Sequence, residues 1–168
     1  MDILGSFLSG DPKKVWLASN AIRELRDEDE LRKISEHLKK IRKETKHVFK
    51  DGGPGLLSNS YHLNFALEKL RFIKEAAGCQ CELYPNNMFF NPNKEADKGF
   101  VVITDKLEDA LNWTADYKCE CTSCGNKFHV HQGEYHYTWY DWTNLNPRVR
   151  HTSETLLQKV FKYVKGRL

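Results

Sequence analysis

The chain lacks any apolar run approaching the roughly 20 residues that a membrane-spanning helix needs. Its first eight residues contain Asp2 and no basic residue, so they do not resemble an exported leader. A membrane partner is therefore not expected, and the expected location is the cytoplasm. Catalytic signatures are missing as well. Gly52, Gly53 and Gly55 lack the Gly-Lys-Ser/Thr of a phosphate loop, no His-Glu-x-x-His is present, and no serine or cysteine sits in a nucleophile-elbow context. Charge of one sign is not in excess: 26 Lys and Arg face 23 Asp and Glu, and a net charge of +3 does not by itself call for a polyanionic partner. Five cysteines, an odd number in a reducing compartment, do not make a disulfide framework.

Aromatic residues are plentiful. Nine Phe, seven Tyr and four Trp, with 40% hydrophobic residues overall, supply more apolar surface than a disordered chain carries. At 168 residues this suits one domain or two small modules sharing an interface. The cations cluster in two stretches, Arg32 to Lys50 and Arg148 to Arg167, which read as solvated helix faces.

Asp11 before Pro12 is a strong helix start, because the carboxylate accepts an orphan N–H and proline at the first helical position loses nothing. Val15, Ala18, Ile22 and Leu25 follow at helical spacing. Asp27 with Glu30 starts a second, long helix carrying Leu31, Ile34, Leu38, Ile41 and Val48 on one face. The glycines and proline of 51–55 break it. A third helix is expected from Asn59 to Ala77, stopped by Gly78. No internal period of the kind helical-repeat arrays require is present.

From Cys79 onward the pattern changes to alternation. Residues 79–84, 99–104, 117–122 and two aromatic-rich runs flanking Gln132-Gly133 read as strands of an antiparallel meander. Between the first two, residues 85–98 form a polar loop with four asparagines and two prolines. Ser153 opens a final amphipathic helix through Leu156, Leu157, Val160, Phe161 and Val164. The expected fold is α+β: an N-terminal three-helix segment over 1–78, a zinc-stapled antiparallel β meander over 79–152, and a C-terminal helix over 153–168 packing back as part of one compact unit.

Cys121-Thr-Ser-Cys124-Gly125 has the shape of a zinc knuckle, in which two thiolates two residues apart face one ion and glycine closes the turn. Over 121–125 the chain resembles half of a zinc ribbon, a family whose second half is normally another Cys-x-x-Cys. Here the candidate second half is Cys79-Gln-Cys81. Residues two apart on a strand share a face, so Cys79 and Cys81 can approach one ion, and so can Cys119 and Cys121. The first ligand set is Cys79, Cys81, Cys121 and Cys124. The alternative is Cys119, Cys121 and Cys124 with His129 or His131. Four thiolates saturate Zn2+ and leave no position for water, which makes the site structural.

A second metal or acid–base cluster is conceivable where His129 and His131 share a strand face near Glu134, His136 and Asp141, though buried and solvated histidines on alternating strands are common. The aromatics Tyr135, Tyr137, Trp139, Tyr140 and Trp142 put apolar surface on both faces of one strand. Taken together, a closed metal site and a mixed-charge surface lead us to expect a non-enzymatic, zinc-stabilised protein-binding protein. An immunity- or antitoxin-type protein is one form of it. The alternative is a nucleic-acid-binding zinc-ribbon-type protein, in which knuckle, basic stretches and aromatics combine. An enzyme using the histidine-rich strand ranks last.

Overall fold

In a computed structural model of the protein, residues 1–49 and 59–146 are described. The break at 51–55 and the expected helix at 153–168 lie outside the described residues. Helices α1 (Ile3–Leu8), α2 (Pro12–Glu24), α3 (Glu28–Glu36), α4 (Leu38–Thr45) and α5 (Asn59–Lys74) come first. They are followed by a 3-10 helix (Gln80–Asn86), α6 (Pro92–Asp97) and strands β1 (Val101–Asp109), β2 (Thr114–Cys121), β3 (Lys127–Glu134) and β4 (Thr138–Asn144). The strands pair antiparallel in the order β1-β2-β3-β4, so the protein is α+β with an antiparallel meander.

The helix starts follow their caps. Asp11 Oδ1 accepts from Lys14 N at 2.8 Å and Asp27 Oδ1 from Glu30 N at 2.8 Å. The long second helix of the sequence analysis is instead two, α3 and α4, divided at His37, whose ψ of 7° leaves the helical range. The Ser35 hydroxyl donates to the Arg32 carbonyl at 2.7 Å, a local bond that competes with the helical ladder just before the break. Leu31, Ile34, Leu38 and Ile41 remain buried on either side of it. Helix α5 ends before Gly78: Ala76 takes the left-handed conformation at φ 46°, while Ala77 N donates to Phe72 O and Ala76 N to Ile73 O.

Two apolar cores share α5. Leu63, Ala66, Leu70 and Ile73 pack with Phe7, Val15, Ile22 and Leu31 among the helices, whereas Phe65 joins Tyr84, Phe90, Phe128, Val130 and Trp142 beneath the sheet. Of residues 79–84, expected as a strand, Cys79 is extended and 80–84 lie in the 3-10 helix. Residues 92–97 of the expected loop form α6, with proline at its first position and Asn91 capping it. The turn before β4 falls at 135–137 rather than at Gln132-Gly133. Gly133 stays within β3 because the Trp139 ring lies over it, and a Cβ there would sit 2.2 Å from that ring. A bulge at Thr104 shifts the β1 register, so Val101 and Ile103 face the core before it and Lys106 and Glu108 lie on that face after it.

Two charged side chains fasten the connection after α2, Arg26 to the sheet side and Lys69 to α5. Arg26, between α2 and α3, pairs with buried Glu95 of α6 at 2.5 Å and lies over the rings of Phe100, Phe90 and Tyr84 at 4.8, 5.2 and 5.5 Å. Tyr84 O–H donates to the same Glu95 oxygen at 2.9 Å. Lys69 of α5, fully buried, donates from Nζ to the carbonyls of Arg23 and Leu25 at 3.1 and 2.5 Å and so caps the end of α2. Removing one partner of the buried pair leaves the other charge uncompensated. Glu95→Ala is therefore expected to lower unfolding stability by about 3–5 kcal/mol, measured by denaturant titration.

Burial, reinforced by the Arg26 charge and opposed by Glu95 and Glu24, lowers the Lys69 pKa from 10.5 to about 7. Between those two values the unfolded chain binds the proton that folded Lys69 has released, so this group's contribution makes stability rise with pH across that window. Stability measured from pH 7 to 10 is expected to move in favour of wild type relative to Lys69→Met as pH rises. A constant difference across that range would contradict this assignment.

Candidate metal centre

The chain brings Cys79, Cys81, Cys121 and Cys124 together from two segments. Cys79 is extended, with φ −73° and ψ 138°, and the 3-10 helix turns immediately after it, so that Cys81 lies back alongside. Gly78 at φ 140° admits the approach, and its missing side chain leaves room for the Glu82 carboxylate. Cys121 ends β2, and Cys124 sits in the β2–β3 turn. Gly125, at φ 73°, closes that turn with its N–H on the Cys121 carbonyl at 2.9 Å.

All four Sγ atoms lie within 4.8 Å of one another, with Cys79 to Cys121 at 3.7 Å and Cys81 to Cys124 at 3.4 Å. A tetrahedral ion with metal–sulfur bonds of about 2.3 Å needs sulfurs about 3.8 Å apart, so this cluster could hold a metal ion. Among the described residues it is the one group of three or more potential ligands drawn this close. Cys81 and Cys121 are buried, Cys79 is half-buried and Cys124 exposed, which places the cluster at the rim of a cleft of about 350 Å³ that Arg26, Tyr84 and Phe100 also line.

The surroundings of the sulfurs favour the thiolate at Cys121 and the protonated thiol at Cys79 and Cys81. Burial raises the Cys79 thiol to about 11 although its sulfur accepts the Cys81 N–H. Burial and the neighbouring Cys124 and Cys79 sulfurs raise Cys81 further. At Cys121 burial also works against ionisation, but the N–H groups of Cys124 and Ser123, aimed at its sulfur, outweigh it and hold the thiol below its ordinary value. Asn126 Nδ2 reaches the Cys81 sulfur at 3.8 Å. A divalent cation would replace protons that these crowded, buried sulfurs otherwise keep.

The alternative set fails on strand geometry. Cys119 lies on the core face of β2, buried among aromatic rings opposite Phe128, and burial raises its thiol to about 11. His129 and His131 occupy the opposite face of the sheet, where both rings bond Asp116 Oδ1, at 2.9 and 3.1 Å. No single ion reaches both faces. The wider histidine cluster also comes apart, since Glu134 accepts from Thr138 at 2.5 Å and His136 packs on Tyr135. Asp116, the carboxylate that the histidines do use, lies on a neighbouring strand, and only the pairing Asp116↔His131 reveals it. Arg26 and Glu95 had no sequence signal, being 69 residues apart.

No protein-family model, curated protein or solved structure matches the chain.

Reduced, purified protein is expected to carry about one equivalent of divalent metal per chain, a closed four-sulfur site having room for one ion. Cys121→Ser and Cys124→Ser should abolish retention, whereas Cys119→Ala should keep it while losing stability through the cavity. Elemental analysis with thermal unfolding reads both. Metal loss in Cys119→Ala would overturn the ligand set.

Proposed function

We propose that the four cysteines hold a structural zinc ion and that the protein is a non-enzymatic binding protein whose partner is another protein. Four thiolate ligands favour zinc over harder cations, and they leave it no open position for water or substrate. The zinc would then fasten the 3-10 helix to the base of the β1–β2 hairpin, since Val101 pairs with Cys121.

The observation that carries the partner assignment is the far end of that hairpin. Leu107, Leu111 and Trp113 are 71, 92 and 75% exposed there. Asp109 orders the tip by accepting from the backbone N–H of Leu111 and Asn112, at 3.0 and 3.2 Å, and from Asn112 Nδ2 at 2.7 Å. Trp113 is held at φ 55°, a conformation that costs a bulky residue energy and tends to persist where function uses it. Large apolar side chains kept in water on an ordered loop suit a protein interface with an aromatic anchor. The hairpin's acids, Asp105, Glu108, Asp109, Asp116 and Glu120, outnumber Lys106 and Lys118, which opposes nucleic acid on this face and suits a partner with a basic rim around an apolar centre.

Affinity capture from the native host in zinc-replete buffer tests this, using wild type beside a Leu111→Ser/Trp113→Ser variant with nuclease added to both. A protein retained by wild type and lost by the variant is the expected result. Capture that disappears on nuclease treatment, or that is equal for the two baits, would overturn it.

A further inference from the structure

A second cleft, of about 410 Å³, opens where α2 and α5 meet the start of β4, and it shares no lining residue with the cleft at the cysteines. Its walls include Arg23, His62, Phe89, Lys94, Tyr137 and Tyr140. The volume falls in the range of small-molecule sites, and the lining combines aromatic surface with a few converging polar groups.

The aromatic wall is built in place rather than draped on the surface. Its centre, Phe89, belongs to a short segment fastened on both sides. Met88 N donates to Tyr61 Oη at 2.9 Å, Met88 O accepts from Tyr140 N at 2.9 Å, and the Phe90 carbonyl accepts from Trp142 Nε1 at 2.8 Å. The Phe89 N–H donates to Asn87 Oδ1 at 3.0 Å. Held this way, the Phe89 ring stacks on His62 at 5.4 Å with 12° between planes, meets Tyr137 at 5.8 Å, and lies under the Arg23 guanidinium at 5.5 Å.

Polar capacity on this wall is left over. His62 Nδ1 is buried with no hydrogen-bond partner among the described residues. Burial and the Arg23 charge lower the His62 pKa, which keeps the ring neutral and its unused nitrogen available. Buried Tyr140 accepts from Asn91 Nδ2 at 2.6 Å, and its own hydroxyl proton has no acceptor among the described residues. Arg23, which lines the cleft, uses Nε on Glu24 at 3.0 Å and makes no hydrogen bond from its terminal nitrogens among the described residues, and the exposed Lys94 ammonium has no carboxylate partner among them. An apolar ligand would leave these groups unpaired, and inorganic phosphate would leave the aromatic wall unused.

We propose that this cleft binds a nucleotide, with the base packed on the Phe89–Tyr137 wall and the phosphate drawn to Arg23 and Lys94. The wall offers aromatic surface rather than an array of edge-reading donors and acceptors, so recognition is tolerant of base identity. Affinity depends instead on ring and anion together. The same chemistry is presented by a free nucleotide and by the phosphorylated end of a single strand.

Calorimetry and amide-shift titration of the metal-replete protein test this with 5′-AMP and 5′-UMP, with adenosine and inorganic phosphate as controls, and with a 5′-phosphorylated oligoadenylate. Both nucleotides are expected to saturate and to bind at least about tenfold more tightly than either control. Phe89→Leu and Lys94→Glu should each weaken them about tenfold, with metal content unchanged as the check on folding. Tighter binding of the oligoadenylate identifies a strand end as the natural source, and equal binding identifies the free nucleotide. The proposal is overturned by the absence of saturation up to about 5 mM nucleotide, by equal affinity for phosphate or adenosine, or by unchanged affinity in both variants.

Discussion

Four sulfur atoms from two segments some 42 residues apart converge on one point, and the geometry of the β half depends on that convergence. Closing a loop of that length costs roughly 3 kcal/mol of chain entropy. Sulfur–sulfur contact does not repay this, since neutral thiols are weak hydrogen-bonding groups, and burial, with the neighbouring sulfurs adding to it, raises the pKa of Cys79 and Cys81. A divalent ion as proposed would reverse the balance, because apparent binding energies at structural zinc sites are about 10–16 kcal/mol. Such a staple would act on a part of the chain poorly able to close itself, a 3-10 helix without a side-chain cap that carries Pro85 in its interior.

Beside the sulfurs, Arg26 performs a related task with charge. A divalent ion in four thiolates carries a net negative charge, and Arg26 lines the same cleft. Its pairing with Glu95 is enclosed by three aromatic rings, so both charges are stabilised by contacts rather than by water. The ionic pair joins the helices to the sheet side, and a metal held as proposed would add a second, adjacent link between the 3-10 helix and β2. Arg26 also lies three residues beyond Arg23, which lines the separate aromatic cleft, so the end of α2 borders one concave surface and the connection after it the other.

What could be read in the sequence was local. The caps at Asp11 and Asp27 act within three residues, and the Cys121–Gly125 turn is specified by its own spacing and one glycine. The choice of Cys79 and Cys81 over Cys119 with a histidine needed the sheet, because it turns on which face of β2 and β3 each side chain occupies. Residues 79–84 looked like a strand for a related reason: Cys81 and Leu83 are buried two apart, and a short 3-10 segment can bury the same positions that a strand would. Gln132-Gly133 resembled a hairpin turn, yet the glycine answers to Trp139 across the strand pair. The Arg26–Glu95 pair and the Asp116 contact with two histidines depend on tertiary approach, which no local pattern records.

In the hairpin, a metal staple at one end would matter at the other. β1 is an edge strand whose outer backbone groups would invite pairing with another chain. Beyond the Thr104 bulge it places Lys106 and Glu108 on the face that Val101 and Ile103 use for packing, with Lys106 lying over Tyr117 at 5.3 Å. Charges directed inward and a bulge are the devices by which sheets discourage such pairing. They also remove the distal half of β1 from the core, so its order rests on the β1–β2 ladder, while β2 beside it is held by buried Ala115 and Tyr117 and by its pairing with β3. An apolar tip displayed in water needs a rigid base, and a metal held by the cysteines as proposed would stiffen the one that the β2–β3 pairing provides. Metal binding and partner binding would then be linked through the stiffness of one hairpin, without the ion touching the partner at all.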